Sequence, residues 1–217
     1  MRDAYEALIP GYISKEEFFR FGLEQTIYIS DEKVKMGWEA LKKKLKDNKP
    51  LFMRGSKDAA HNQMYYEFYA RVLRNEQAKR DPSNSQTPTK MMEELSGLKK
   101  SKDLKNYQLS TIFGRSKNVL CFNAPWNFAY TPNILDPLLG VDARGPLAQE
   151  FKKVFQAQAY KKFKPYIEEF NTMMTDNHFL RETDEYLHDL YDNSLHKNEI
   201  VEIFESSLRD EIEPISI

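Results

Sequence analysis

Cysteine is almost absent from this 217-residue chain, with Cys121 standing alone. That excludes a disulfide framework and a cysteine zinc site within one chain. Glycine is scarce too, at eight residues, and none falls into a phosphate-loop or dinucleotide fingerprint, so nucleotide hydrolysis by those routes is excluded. The GxSxG elbow of hydrolases is missing. No stretch approaches the roughly 18 apolar residues of a membrane span, and the first residues lack a charged region followed by an apolar one. The default setting is therefore reducing and cytoplasmic. Histidine is sparse: His61, His178, His188 and His196 are scattered, and none makes the i, i+4 pair that presents two imidazoles to zinc. His188 and His196 fall in an acidic helical stretch and read as exposed.

What is present points to a folded protein with an uneven charge. Aromatic residues make up 13% of the chain, far too many for a disordered one. Residues 1–175 carry 29 Lys+Arg against 21 Asp+Glu, and residues 176–217 carry 3 against 12. The reading is a basic helical body, 1–175, containing an unusual block at 106–145, followed by an acidic helical segment, 176–217. The boundary falls at the turn pair Asp176-Asn177, and the body is expected to stay folded without the acidic segment. A basic body attracts nucleic acid, while an acidic segment masks it, binds another protein or mimics phosphate. Solvated helix faces account for the same charges.

Periodicity predicts an α+β fold, predominantly helical, with a few short strands and a central β-hairpin-like block. Ser14 and Glu17 form a capping-box pattern ahead of a short helix. Thr26 to Ile29 reads as a strand. Val34, Trp38, Leu41 and Leu45 set the inward stripe of a helix from Ser30 or Asp31 to Lys46, with Lys42, Lys43, Lys44 and Lys46 outside. Leu51 to Arg54 reads as a strand, and Ser56 or Asp58 caps a helix to about Asn75 whose aromatic stripe belongs to the core. Thr87-Pro88 reads as the start of a helix ending at Gly97. Pro146 opens a long helix kinked by Pro165, and two acidic helices follow, near 184–194 and 199–212.

The block from Asn106 to Gly145 is not generic helix or loop. It packs Trp126, Asn118, Asn123, Asn127, three prolines and the Arg115/Lys117 pair into short strand-like runs and turns. Amides and aromatics on short rigid elements suit recognition. Arg54, Lys90, Lys99, Lys100, Lys102, Lys105, Arg115 and Lys117 gather in sequence around Tyr107, Trp126 and Asn127, which combines phosphate-neutralising charge with stacking and amide groups. These residues form the candidate nucleic-acid contact surface. Cys121 sits between Leu120 and Phe122 and reads as a buried, inert thiol.

A strand from Tyr107 to Phe113, the turn Gly114-Arg115-Ser116-Lys117-Asn118, a second strand near Asn127 to Thr131 and the polar segment after it resemble, over about forty residues, the ββα-metal core of HNH endonucleases. The resemblance gives Asn127 the role of the asparagine that braces the loop. It sets Asp136 or Asp142 where a metal ligand is needed and makes Asn118 a substitute ligand for magnesium or manganese. The family's catalytic histidine is replaced by Ser110 or Thr111, and a hydroxyl is no base near neutral pH without its own activator. The resemblance thus implies a nucleic-acid-associated protein with an inactive nuclease-like core and no cofactor, suited to a microbial mobile-element or defence role. A metal-dependent endonuclease and a protein-binding or inhibitor protein using the acidic helices are the alternatives.

Overall fold

The computed structural model describes Tyr5, Leu8, Ile9 and residues 11–140, 143–193 and 198–217. Helices dominate, with two small two-stranded sheets. The first described helix, α1 (Lys15–Glu24), starts with the anticipated capping box: the Ser14 hydroxyl accepts from the Glu17 amide, and the Glu17 carboxylate accepts from the Ser14 amide, both at 3.2 Å. Thr26 to Ile29 is not a strand. Among the described residues it makes one bridge, Ile27 to Tyr130, and the Thr26 hydroxyl turns back to the Gly22 carbonyl at 2.7 Å and completes the helix end.

Helix α2 (Asp31–Lys46) buries Val34, Trp38 and Leu41 and leaves Lys43, Lys44 and Lys46 exposed. Lys42 departs from the expected exposed row by pairing with Glu169 at 2.5 Å, while the Trp38 indole donates to the other oxygen of the same carboxylate at 2.7 Å. A β-α-β unit follows: β1 (Leu51–Met53), α3 (Ala59–Val72) and β2 (Ala78–Arg80), with β1 and β2 parallel in the register Leu51 to Ala78. The sequence Ala-Lys-Arg has little strand propensity, so β2 exists by pairing rather than by local preference. Asp58 caps α3, and Met64, Tyr65, Phe68 and Tyr69 are buried as the stripe required.

Helix α4 (Gln86–Ser96) begins before the expected Thr87 cap. The buried Asp81 carboxylate accepts from the Ser83, Gln86 and Thr87 amides at 3.1, 3.0 and 2.8 Å, so the first-turn donors are capped by Asp81 rather than by Thr87. Gly97 ends the helix at φ +76°.

Strands β3 (Tyr107–Thr111) and β4 (Phe128–Pro132) pair antiparallel, Tyr107 opposite Pro132 and Thr111 opposite Phe128. The connection between them holds a short helix, α5 (Val119–Asn123), and a tight turn at Pro125–Asn127, so the apolar run around Cys121 is helical. A four-residue helix, α6 (Asp136–Leu139), precedes α7 (Pro146–Met174), which kinks at Phe163 two residues before Pro165. The acidic helices are α8 (Asn177–Asn193) and α9 (Asn198–Ile212). No helix among the described residues is long and apolar enough to cross a membrane.

The larger hydrophobic cluster runs from Trp38 and the α3 aromatics through Trp126 to Phe179, Tyr186, Phe204 and Ile212. Phe204 meets Tyr65 edge-on at 5.0 Å, and Phe68 contacts Tyr186 at 5.7 Å. The boundary expected near Thr175 to Asn177 is therefore a helix–helix turn, with Asp176 capping α8 through the His178 and Phe179 amides at 3.0 Å. The acidic helices expose their charges and bury their apolar stripes in the body's own core. A smaller cluster around Phe18, Ile112, Phe151 and Phe155 lies beside it.

Candidate functional site

The turn between β3 and α5 is where the basic block meets the acidic end of the chain. Gly114 and Arg115 have φ of +71° and +51° in succession, a conformation that costs a non-glycine residue about 1–2 kcal/mol. The Arg115 guanidinium holds it there by donating to the Asp210 carbonyl and, at 3.3 Å, to the Pro214 carbonyl. Glu211 accepts from the Lys117 and Asn118 amides at 3.0 and 2.9 Å. Lys117 itself donates to Ser207 at 2.9 Å and lies 5.5 Å over the Tyr65 ring. Both cations are thus spent on α9 and the residues after it.

The three amides and the indole are equally committed. Asn118 is 2% exposed; its oxygen caps α5 through the Leu120 and Cys121 amides and its nitrogen donates to the Glu211 carbonyl at 3.0 Å. Asn123 donates to the Phe52 and Val119 carbonyls. Asn127 is 0% exposed and braces the connection, donating to the Gly114 and Cys121 carbonyls at 3.0 Å and accepting from the Phe113 amide at 2.9 Å. Trp126 is also 0% exposed, packed against Trp38, Phe113 and Phe170 with ring centroids 5.6 to 6.2 Å away. A ring so enclosed cannot stack on a base. Trp126, Asn127, Arg115 and Lys117 therefore leave the expected contact surface, and Asn118, expected as a substitute metal ligand, has both its amide atoms engaged by α5 and Glu211.

Burial pushes the Glu211 carboxyl up from its ordinary value, against the pull of the Asn118 and Lys117 amides and of the Lys117 and Arg115 charges. A raised folded value means that its stabilisation is complete below the usual glutamate range and declines as pH rises through the folded value. Glu211→Gln keeps an oxygen for both amides and removes the charge, so its urea stability stays flat over the pH range where the parent protein declines. Glu211→Ala leaves the buried donors unanswered, at about 1–3 kcal/mol each. Chemical denaturation of both variants between pH 4 and 8 checks the pair; parallel pH profiles for the parent and Glu211→Gln contradict the assignment.

Six of the predicted cations remain available. Arg54, Lys90, Lys99, Lys100, Lys102 and Lys105 are exposed and make no ion pair among the described residues. Tyr107 is half-buried at the start of β3. Arg54 follows the carboxyl end of β1 and enters a cleft of about 200 Å³ shared with Asn84, Gln108, Ser110, Thr111 and Asp136. Carboxyl ends of parallel strands are where α/β units place ligands. The cleft unites Arg54 with the Ser110/Thr111 position and Asp136, which lie far apart in sequence. The Ser110 hydroxyl is engaged with Thr131 at 2.6 Å.

Among the described residues the donor set does not supply the near-octahedral shell of oxygens that magnesium or manganese requires. Asp136 brings one carboxylate, the Asn118 amide is used elsewhere, and Asp142 lies outside the described residues. Among the described residues no three of His, Cys, Asp and Glu gather to hold a metal. Cys121 is fully buried, and burial pushes its thiol well up, which leaves it inert.

Comparison with known proteins fixes the family. A family model described as Uncharacterised protein PM1201 matches residues 29–217. The chain belongs to the PM1201 family. A Pasteurella multocida protein described as Uncharacterized protein PM1201 is 36% identical over 165 residues, which is 75% of this chain and 74% of that protein. No solved structure matches. The PM1201 match contains the cleft, the Arg115 turn and both tryptophans and leaves out α1.

Sequence reasoning missed Glu211, Ser207 and Tyr69, whose hydroxyl donates to the Lys117 carbonyl at 2.6 Å. The signal was the sign change between Arg115-Ser-Lys117 and Asp210-Glu211-Ile-Glu213.

Proposed function

We propose that this PM1201-family protein is a cytoplasmic, nucleic-acid-associated binding protein that contacts a phosphodiester backbone through Arg54 and the unpaired lysines along and beyond α4. The observation that carries the reading is the sorting of the eight candidate cations: two are consumed inside the molecule, and six are exposed and unpaired among the described residues. Arg54 shares its cleft with Ser85 and Pro88 at the first turn of α4. Lys90 projects from the middle of that helix, and Lys99 to Lys105 follow its end. An 11-residue helix spans about 16 Å, so a ligand reaching from Arg54 to Lys99 is extended. A polyanion is such a ligand. A cleft of about 200 Å³ takes one sugar–phosphate unit and is small for a drug-sized molecule.

Anisotropy of a labelled oligonucleotide, single-stranded and duplex, titrated at low and moderate salt tests the reading. The expected result is binding that weakens by orders of magnitude between roughly 50 and 200 mM salt. Arg54→Gln and Lys99→Gln each lower affinity and reduce the salt slope by about 1. Absence of binding at low salt removes the proposal.

A further inference from the structure

We propose that a second concavity, between α2 and α4, is a binding site for a small amphipathic anion: an apolar body carrying one carboxylate, sulfonate or phosphate. The groove has a volume of about 390 Å³, within the range of small-molecule sites. Its floor is apolar, built from Leu41, Phe52, Met91, Leu95 and Pro125. Glycine lets α2 approach this floor closely: a Cβ on Gly37 would lie 2.7 Å from the Pro125 ring and 3.2 Å from Leu95. Lys44, seven residues further along the same helix face and so about 10 Å away, lines the groove together with Lys90 from α4.

Charge complementarity identifies the occupant. Lys44 and Lys90 are exposed and have no ion-pair partner among the described residues. Glu94, the one carboxylate among the described lining residues, pairs with neither. Two unpaired ammonium groups beside an apolar floor leave an anionic head in contact with charge while its body displaces water from Phe52, Met91 and Leu95. A neutral apolar ligand leaves the ammonium groups without a role, and a hydrophilic anion leaves the floor wet. This site is distinct from the Arg54 cleft, which Lys44 and Ala40 do not line.

The test titrates the full chain with two probes, dodecanoate and anilinonaphthalene sulfonate, by calorimetry and fluorescence. Saturable binding of one probe per chain is expected; dodecanoate alone indicates a fatty-acid-like ligand, and the sulfonate alone a flat aromatic one. Lys44→Gln with Lys90→Gln weakens binding of the responding probe about tenfold or more, as loss of charged hydrogen bonds does. The same double variant leaves binding of its uncharged counterpart, dodecanol or phenylnaphthylamine, unchanged. Ala40→Trp, an exposed groove position on α2, blocks the site without touching the core, and circular dichroism confirms that it stays folded. Arg54→Gln has no effect on either probe. Failure of both probes to bind, or binding indifferent to Ala40→Trp in the folded variant, overturns the proposal.

Discussion

Truncation after Thr175 abolishes cooperative folding. The charge boundary taken alone leaves a stable body behind, but packing decides otherwise, because α8 and α9 insert Phe179, Tyr186, Leu187, Val201, Phe204 and Leu208 at 0 to 7% exposure. Burial of a large apolar side chain contributes roughly 1.5–3 kcal/mol, and a domain's whole stability is about 5–15 kcal/mol. The deletion also bares the facing stripe of α3, where Tyr65 and Phe68 lose their edge-on partners. Arg115 and the Lys117 and Asn118 amides lose theirs at the same time. A thermal melt followed by circular dichroism is expected to lose its sigmoidal transition. A cooperative melt close to that of the full chain makes α8 and α9 an appendage after all.

Trp126→Ala destabilises the protein by about 3–5 kcal/mol, the cost of deleting a large buried aromatic. The ring sits at the meeting point of α2, α7 and the β3–α5 connection, against Trp38, Phe170 and Phe113. Its indole nitrogen has no hydrogen-bond partner among the described residues. Trp126→Phe therefore removes an unanswered buried donor together with some packing, and recovers a part of the loss that Trp38→Phe does not, since Trp38 donates to Glu169. With about 2–4 °C of melting temperature per kcal/mol at this chain length, the alanine variant melts about 10 °C lower. Equal melting of the parent and Trp126→Ala places the indole outside the core.

Most elements were legible because periodicity and capping are local. The stripe Val34, Trp38, Leu41, the Ser14–Glu17 box, the Gly97 stop and the Pro165 kink each follow from residues within one or two turns. Strand β2 was not, because Ala78, Lys79 and Arg80 become a strand only by pairing with β1 across α3. The start of α4 was misplaced for a related reason: its cap, Asp81, reaches from outside the helix. Helices α8 and α9 were recognised as helices, yet their acidic faces drew the eye from the apolar stripes that join them to the core.

At the site, composition identified the unusual block but misassigned its work. An aromatic residue among amides and cations suits a recognition surface or a buried, well-braced loop equally, and only long-range partners decide. For Trp126, Asn118 and Asn127 the partners are Phe170, Glu211 and Cys121. Arg54 and Asp136 share a cleft through folding alone. The Lys44–Lys90 groove joins a lysine expected on a solvated helix face to one expected on the nucleic-acid contact surface, and only folding sets the two beside one apolar floor.

The division of the basic residues into spent and available ones is tested most directly by one oligonucleotide titration of three proteins: parent, Arg54→Gln and Lys117→Gln. The account predicts that Arg54→Gln binds more weakly with a shallower salt dependence, while Lys117→Gln, whose charge is turned to Ser207 and Tyr65, binds as the parent does. The reverse pattern, affinity lost with Lys117 and kept without Arg54, contradicts it.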